Sequence, residues 1–275
     1  MGSAFNLGKL FGIQFRLHFS WFIIFILVTV LLVYPDYSQW LYWVIAIITS
    51  LLFFSSVVAH ELAHSLVGRA NGIPIDSITL FIFGGVARMT KEATRPDAEL
   101  KMAAAGPVCS LLIGGFFGLV FLVMRNMLGT AAVMIYWLAV MNVILVAFNL
   151  IPGFPLDGGR VFRALLWRFT GDYGLSTRIA TRLGQGIGYL FVLGGISIII
   201  LRPLGLSWFD GIWLVFIGWF LGSIASASYR QLRWQEPPPK LTPLETVTPD
   251  PPVVPPDITV NQSLDSSRIS RSHHY

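Results

Sequence analysis

The 275-residue chain is short of charge. Only 12% of its residues are Asp, Glu, Lys or Arg, against about 25% in ordinary soluble domains, which excludes a disordered chain and argues against a soluble globular one. It has a single cysteine, Cys109, so neither an intramolecular disulfide nor a thiolate zinc cluster can form. Histidine is scarce as well: His18, His60, His64, His273 and His274 are all there are. The 26 glycines and 16 prolines are far from a collagen-like proportion, and no internal repeat or heptad run is present. What remains is apolar: 55% of residues are hydrophobic and the mean hydropathy is +0.69. In such a chain the net charge of +5 is a topology signal, and no direct nucleic-acid partner is expected.

Crossing a bilayer takes about 17–25 predominantly apolar residues. Six uncharged runs qualify: 17–35, 37–59, 102–124, 126–156, 183–201 and 211–229. The end of the fourth is rich in Pro and Gly and is not expected to be helical. Tyr34-Pro35-Asp36-Tyr37 reads as a turn between the first two helices. Residues 75–89 are rich in β-branched and aromatic types and broken by Gly84-Gly85, a strand-and-turn pattern. The expected fold is therefore an all-α polytopic membrane protein of about six transmembrane helices, with a short membrane-associated β segment near residues 75–90. Only Arg125 and Arg202 fall on one side of that map, and the other 17 of the 19 basic residues fall on the opposite side. Positive residues stay cytoplasmic, which puts both termini inside. After Trp234 the composition turns proline-rich, starting at Pro237-Pro238-Pro239, an extended and semi-rigid tail.

His60-Glu61-Leu62-Ala63-His64 is an HExxH motif. Residues i and i+4 of a helix share a face, so both imidazoles can bind one metal with Glu61 nearby as a general base. Ionisable groups inside an apolar helix are costly and mark function. A two-histidine zinc site needs a third protein ligand and keeps one position for water. His18 opens the first span and His273 and His274 end the tail, so the search passes to the 14 carboxylates. Asp157 stands out because it follows 31 uncharged residues, in Asn149-Leu-Ile-Pro152-Gly-Phe-Pro155-Leu-Asp157-Gly158-Gly159. Broken helices at membrane depth occur where they line a cavity, and Asp157 falls on the same side of the map as the HExxH motif. A surface Asp-Gly turn is the alternative for Asp157.

HELAH on a membrane helix, followed by N-x-x-P-x-x-x-x-D-G on a later segment, resembles the motif pair of the site-2 protease family of intramembrane zinc metalloproteases. The stretches 81–87 (FIFGGVA) and 103–107 (AAAGP) also resemble that family. The resemblance covers about residues 5–230. It implies a membrane-embedded metalloprotease domain over 1–230 and a cytoplasmic tail over 231–275. It also implies one Zn²⁺ per chain on His60, His64 and Asp157, with Glu61 as the catalytic carboxylate. No PDZ-like insertion is visible. The branch it resembles more often carries a pair of CBS domains, and residues 258–264 look like the start of one, with too little chain after them to fold it.

A transmembrane substrate must unwind before cleavage, which frees backbone groups in lipid. A strand edge can re-pair them by β-addition, and residues 75–89 are the candidate. Phe83, Gly84 and Gly85 are the expected substrate-binding positions there, the glycines allowing close backbone approach. Asn149 is a further candidate substrate contact, with bonding to the broken-helix backbone as its alternative. The resemblance implies single-span regulatory membrane proteins as substrates, such as anti-sigma factors or membrane-tethered transcription factors. The rival reading is a metal or proton transporter using the same His/Glu/Asp cluster. Transporters often show paired broken segments in two halves, and only one such segment is present.

Overall fold

The structure, a computed structural model, describes residues 4–33, 39–82, 84–127, 129–202, 205 and 207–235. The chain divides into 1–232 and 233–275, and of the second unit only the last residues of the final helix are described. The turn expected at Tyr34–Tyr37, the proline-rich tail and Phe83 lie outside the described residues.

The expected spans appear as helices, with shifted ends. Helix α1 runs Ser20–Val33, α2 Trp40–Ala70, α3 Pro96–Met124, α4 Thr130–Asn149, α6 Tyr173–Leu201 and α7 Trp208–Gln235. Five of these, α2, α3, α4, α6 and α7, are long and apolar enough to cross a membrane. The first expected span is shorter than its uncharged run: α1 has 14 residues, about 21 Å at 1.5 Å per residue. Large side chains such as Leu112, Val123 and Ile200 are about 70% exposed, a surface suited to lipid. Inside, polar groups pair between helices, as where Thr29 of α1 donates to the Ser50 hydroxyl of α2 at 2.9 Å.

The β segment is larger than expected. Strands β3 (Ile75–Phe81) and β4 (Gly84–Met89) form the expected hairpin, and a second hairpin precedes the first helix: β1 (Ala4–Leu10) and β2 (Ile13–His18). The four strands make one sheet in the order β1-β2-β3-β4, with β2 and β3 parallel across the α1–α2 crossover. Residues 13–18 alternate strictly, with Ile13, Phe15 and Leu17 buried, the period-two pattern of a half-buried strand. That face, with Ile78 and Leu80, packs on Trp21 of α1 and on Val58 and Leu62 of α2. The sheet is thus fixed against the α2 turn that carries the HExxH motif, and β4 is left as an edge.

Between α4 and α6 the chain breaks as expected. Turns over 150–156 lead into an additional helix, α5 (Asp157–Thr170). A Cβ on Gly158 or Gly159 would collide with the backbone of residues 150–154, so the Asp-Gly-Gly sequence is what lets the loop fold back over the start of α5.

Candidate metal centre

His60 and His64 lie one turn apart on α2 and are both buried. Their Nε2 atoms are 3.1 Å apart, and each is 3.1 Å from Oδ2 of Asp157 at the start of α5. Ninety-seven residues of sequence separate His60 from Asp157, and the fold closes that gap. Among the described residues these three form a group that could hold a metal ion.

The other ring nitrogens explain why the rings point this way. Nδ1 of His64 lies 2.7 Å from the Met102 carbonyl of α3. A carbonyl only accepts, so this Nδ1 donates, and Nε2 is the nitrogen that faces the centre. Nδ1 of His60 lies 2.9 Å from the Ser110 hydroxyl. Burial pushes the Asp157 carboxyl up, but hydrogen bonds and charge from His60 and His64 outweigh it and hold the group below the usual carboxylate range. That favours the carboxylate form, the one that could ligate a metal ion.

Met102, Gly106 and Ser110 recur every four residues and form one stripe of α3 laid across the HExxH face. Gly106 sits in the middle. A Cβ built there would fall on His64 Nε2 and lie 2.6 Å from His60 Nε2. The missing side chain leaves room where the three donors converge. The 3.1 Å separations suit zinc too: with zinc–nitrogen bonds of about 2.0–2.1 Å, tetrahedral ligands lie roughly 3.3 Å apart. Two imidazoles and a carboxylate with hydrogen-bonded outer partners make a fitting donor set.

Glu61 stays out of the donor triangle and turns to the sheet. A Cβ on Gly85 would meet the Glu61 side chain at 2.5 Å. The acid therefore touches the start of the edge strand β4. Gly84, with φ of +124°, turns the chain into that strand. Asn149 is not gathered into the centre in this structure: its Nδ2 donates to the Leu145 carbonyl of its own helix at 3.0 Å.

A supporting pair, Glu99 and Arg163, went unread in the sequence. Glu99 of α3 is fully buried and accepts from Arg163 of α5, through Nε at 2.8 Å and again through Nη2. Arg160 approaches the same carboxylate at 4.0 Å. The Arg163 guanidinium is sandwiched over the rings of Phe154 and Tyr173 at 4.7 and 4.8 Å. This buried pair ties α5, which carries Asp157, to α3, which carries the histidine partners. The available signal was a lone Glu near the head of an apolar helix and an Arg six residues past Asp157.

Comparisons with known proteins agree with the geometry. Peptidase family M50 matches residues 48–133 and 126–194, a range that holds all three donors. The chain is 39% identical over 279 residues to sll0528 of Synechocystis, whose name provisionally assigns it to the zinc metalloproteases, covering 99% of this chain and 72% of that one. It is 32% identical over 268 residues to zinc metalloprotease MJ0392 of Methanocaldococcus jannaschii, covering 96% and 72%. Among solved structures, the site-2 protease from Methanocaldococcus jannaschii matches with a TM-score of 0.58 at 32% identity, over 83% of this chain and 96% of that one.

Proposed function

Because the chain belongs to peptidase family M50, the site-2 protease family of zinc metalloproteases, we propose that it cleaves peptide bonds inside the transmembrane segments of single-span membrane proteins. The observation that carries this reading is the convergence of His60, His64 and Asp157 beside Glu61, with Glu61 set against an edge strand. In this reading the three residues hold one zinc ion. Bound there, zinc supplies Lewis-acid polarisation of a water and of the scissile carbonyl.

The chain's own residues do the rest. Glu61 takes a proton from the attacking water and delivers it to the leaving amide nitrogen. Met102 and Ser110 hold the two imidazoles in register, and the Glu99–Arg163 pair holds Asp157. A substrate helix unwinds at the cut, and its freed backbone groups re-pair along β4. Gly84 and Gly85 let that backbone come close to Glu61, and Phe83 and Asn149 are further candidates for contact with it.

The protein acts as a multi-pass integral membrane protein, of the cell membrane if bacterial. Residues 1–230 form the catalytic domain, and both termini and the 231–275 tail are cytoplasmic. Its substrates in this reading are regulatory proteins such as anti-sigma factors or membrane-tethered transcription factors. The test is cleavage of a single-span protein by the purified chain in vesicles. Zinc-dependent cuts within the span are expected, abolished by a chelator and restored by zinc. Cuts only outside the span, or none, would refute the reading.

A further inference from the structure

An apolar cavity of about 270 Å³ lies between α1, α2, α4 and the β3–β4 hairpin, lined by apolar side chains and glycine. We propose that this cavity is a substrate subsite that takes one large apolar side chain, of leucine or phenylalanine size, within about two residues of the scissile bond. The inference rests on the proteolytic reading above and adds the substrate's local sequence preference.

Three observations place it. Phe53 and Val57 line the cavity, and with Glu61 they recur every four residues along one stripe of α2. Val57 is one turn from Glu61, about 6 Å along the helix axis, which is the reach of two extended residues at about 3.3 Å each. Gly84 borders the cavity while the next residue, Gly85, lies against the Glu61 side chain. A strand running along β4 past Glu61 therefore carries a neighbouring side chain over the opening.

The walls set the size. Trp21 is stacked on Phe25 at 5.1 Å and packed edge-on against Phe54 at 5.1 Å. Phe53 is packed against Trp137 at 5.4 Å. A dry apolar cavity of about 150 Å³ accepts benzene, so this one has room for a phenylalanine ring. Substrate side chains arrive from lipid, not from water, so transfer free energy contributes little and selection comes from packing and steric fit.

The test uses the full-length zinc-loaded chain in phosphatidylcholine vesicles with a single-span substrate. Each position within three residues of the cut is set in turn to Ala, Leu, Phe or Trp, and the readout is the ratio of kcat/KM between side chains within each protein. At one position the wild type should prefer Phe or Leu to Ala by about tenfold, the scale of pocket discrimination. Val57→Phe fills the cavity and should bring the Phe-to-Ala ratio to one or below. If Val57→Phe loses its zinc through misfolding, Val57→Ala carries the test: by widening the cavity it should raise the Trp-to-Phe ratio several-fold. Ratios that stay flat across positions, or stay the same in the variant that folds, would overturn the subsite and point to a lipid chain as its occupant, with the protease reading intact. A wild type that cuts no substrate of the panel would overturn the protease reading and the subsite together.

Discussion

Replacing Gly106 by Ala sets two effects of opposite sign against each other. The residue is buried within α3, and alanine is favoured over glycine in a helix interior by about 0.8–1.0 kcal/mol. On propensity alone the variant gains stability. The added methyl, however, would fall on His64 Nε2 and lie 2.6 Å from His60 Nε2. Carbon atoms reach their optimal separation at about 3.5–4.0 Å, so something must yield by roughly 1 Å. The rings cannot back away freely, because the Met102 carbonyl and the Ser110 hydroxyl, both on α3 itself, hold their far sides at 2.7 and 2.9 Å. Metal sites tolerate ligand shifts of about 0.2 Å. Loss of an outer partner alone costs about 10–100-fold in metal affinity, and displacing two ligands should cost at least about 100-fold. The assay is zinc content after equilibration with a competing chelator, read beside thermal unfolding of the metal-free protein in detergent. Zinc binding should collapse, and because the methyl crowds the same rings without metal, the metal-free protein should lose no more than about 1–3 kcal/mol to overpacking. A Gly106→Ala variant with wild-type zinc affinity would refute the argument that this glycine makes room for the ion.

Further outcomes follow from the same geometry. Asp157→Ala removes one of three donors and should leave the purified protein with little zinc, and full zinc content would take Asp157 out of the coordination sphere. Glu99→Gln leaves Arg163 buried without its counter-charge, at a cost of about 3–5 kcal/mol. It should lower the unfolding temperature markedly, whereas Arg168→Gln, from the exposed pair with Asp97, should cost no more than about 1 kcal/mol. Single cysteines placed near either terminus, in a Cys109→Ser background, should react with a membrane-impermeant reagent only after permeabilisation, and labelling of intact cells would reverse the orientation.

The centre was legible because its chemistry is written locally. HExxH puts two imidazoles on one face by spacing alone, and Asp157 is the first charge after 31 uncharged residues. The spans were legible for the same reason, since lipid tolerates few charges over a helix length. What stayed hidden depends on tertiary contact or on weak periodicity. The β1–β2 hairpin carries a clear alternation over only six residues, and its last two belong to the uncharged run that was assigned to the first span. Helix α5 spaces Arg160, Arg163 and Arg168 in a way that reads as a cytoplasmic loop until Glu99 is seen to receive Arg163. The role of Gly106 could not be seen at all, because a glycine in a membrane helix signals close packing without naming what approaches. For Asn149 the sequence left two roles open, and in this structure its amide bonds the carbonyl of Leu145.

The most direct measurement pairs zinc content with cleavage for Glu61→Gln. The substitution keeps size and polarity but removes the proton acceptor, and Glu61 lies outside the donor triangle of His60, His64 and Asp157. The variant should retain one zinc per chain and lose activity on a single-span substrate by at least about 10² to 10⁴. A zinc-loaded Glu61→Gln that cleaves at a near-normal rate would contradict the mechanism. A wild type that moves ions across the vesicle membrane and cleaves nothing would replace it with the transporter.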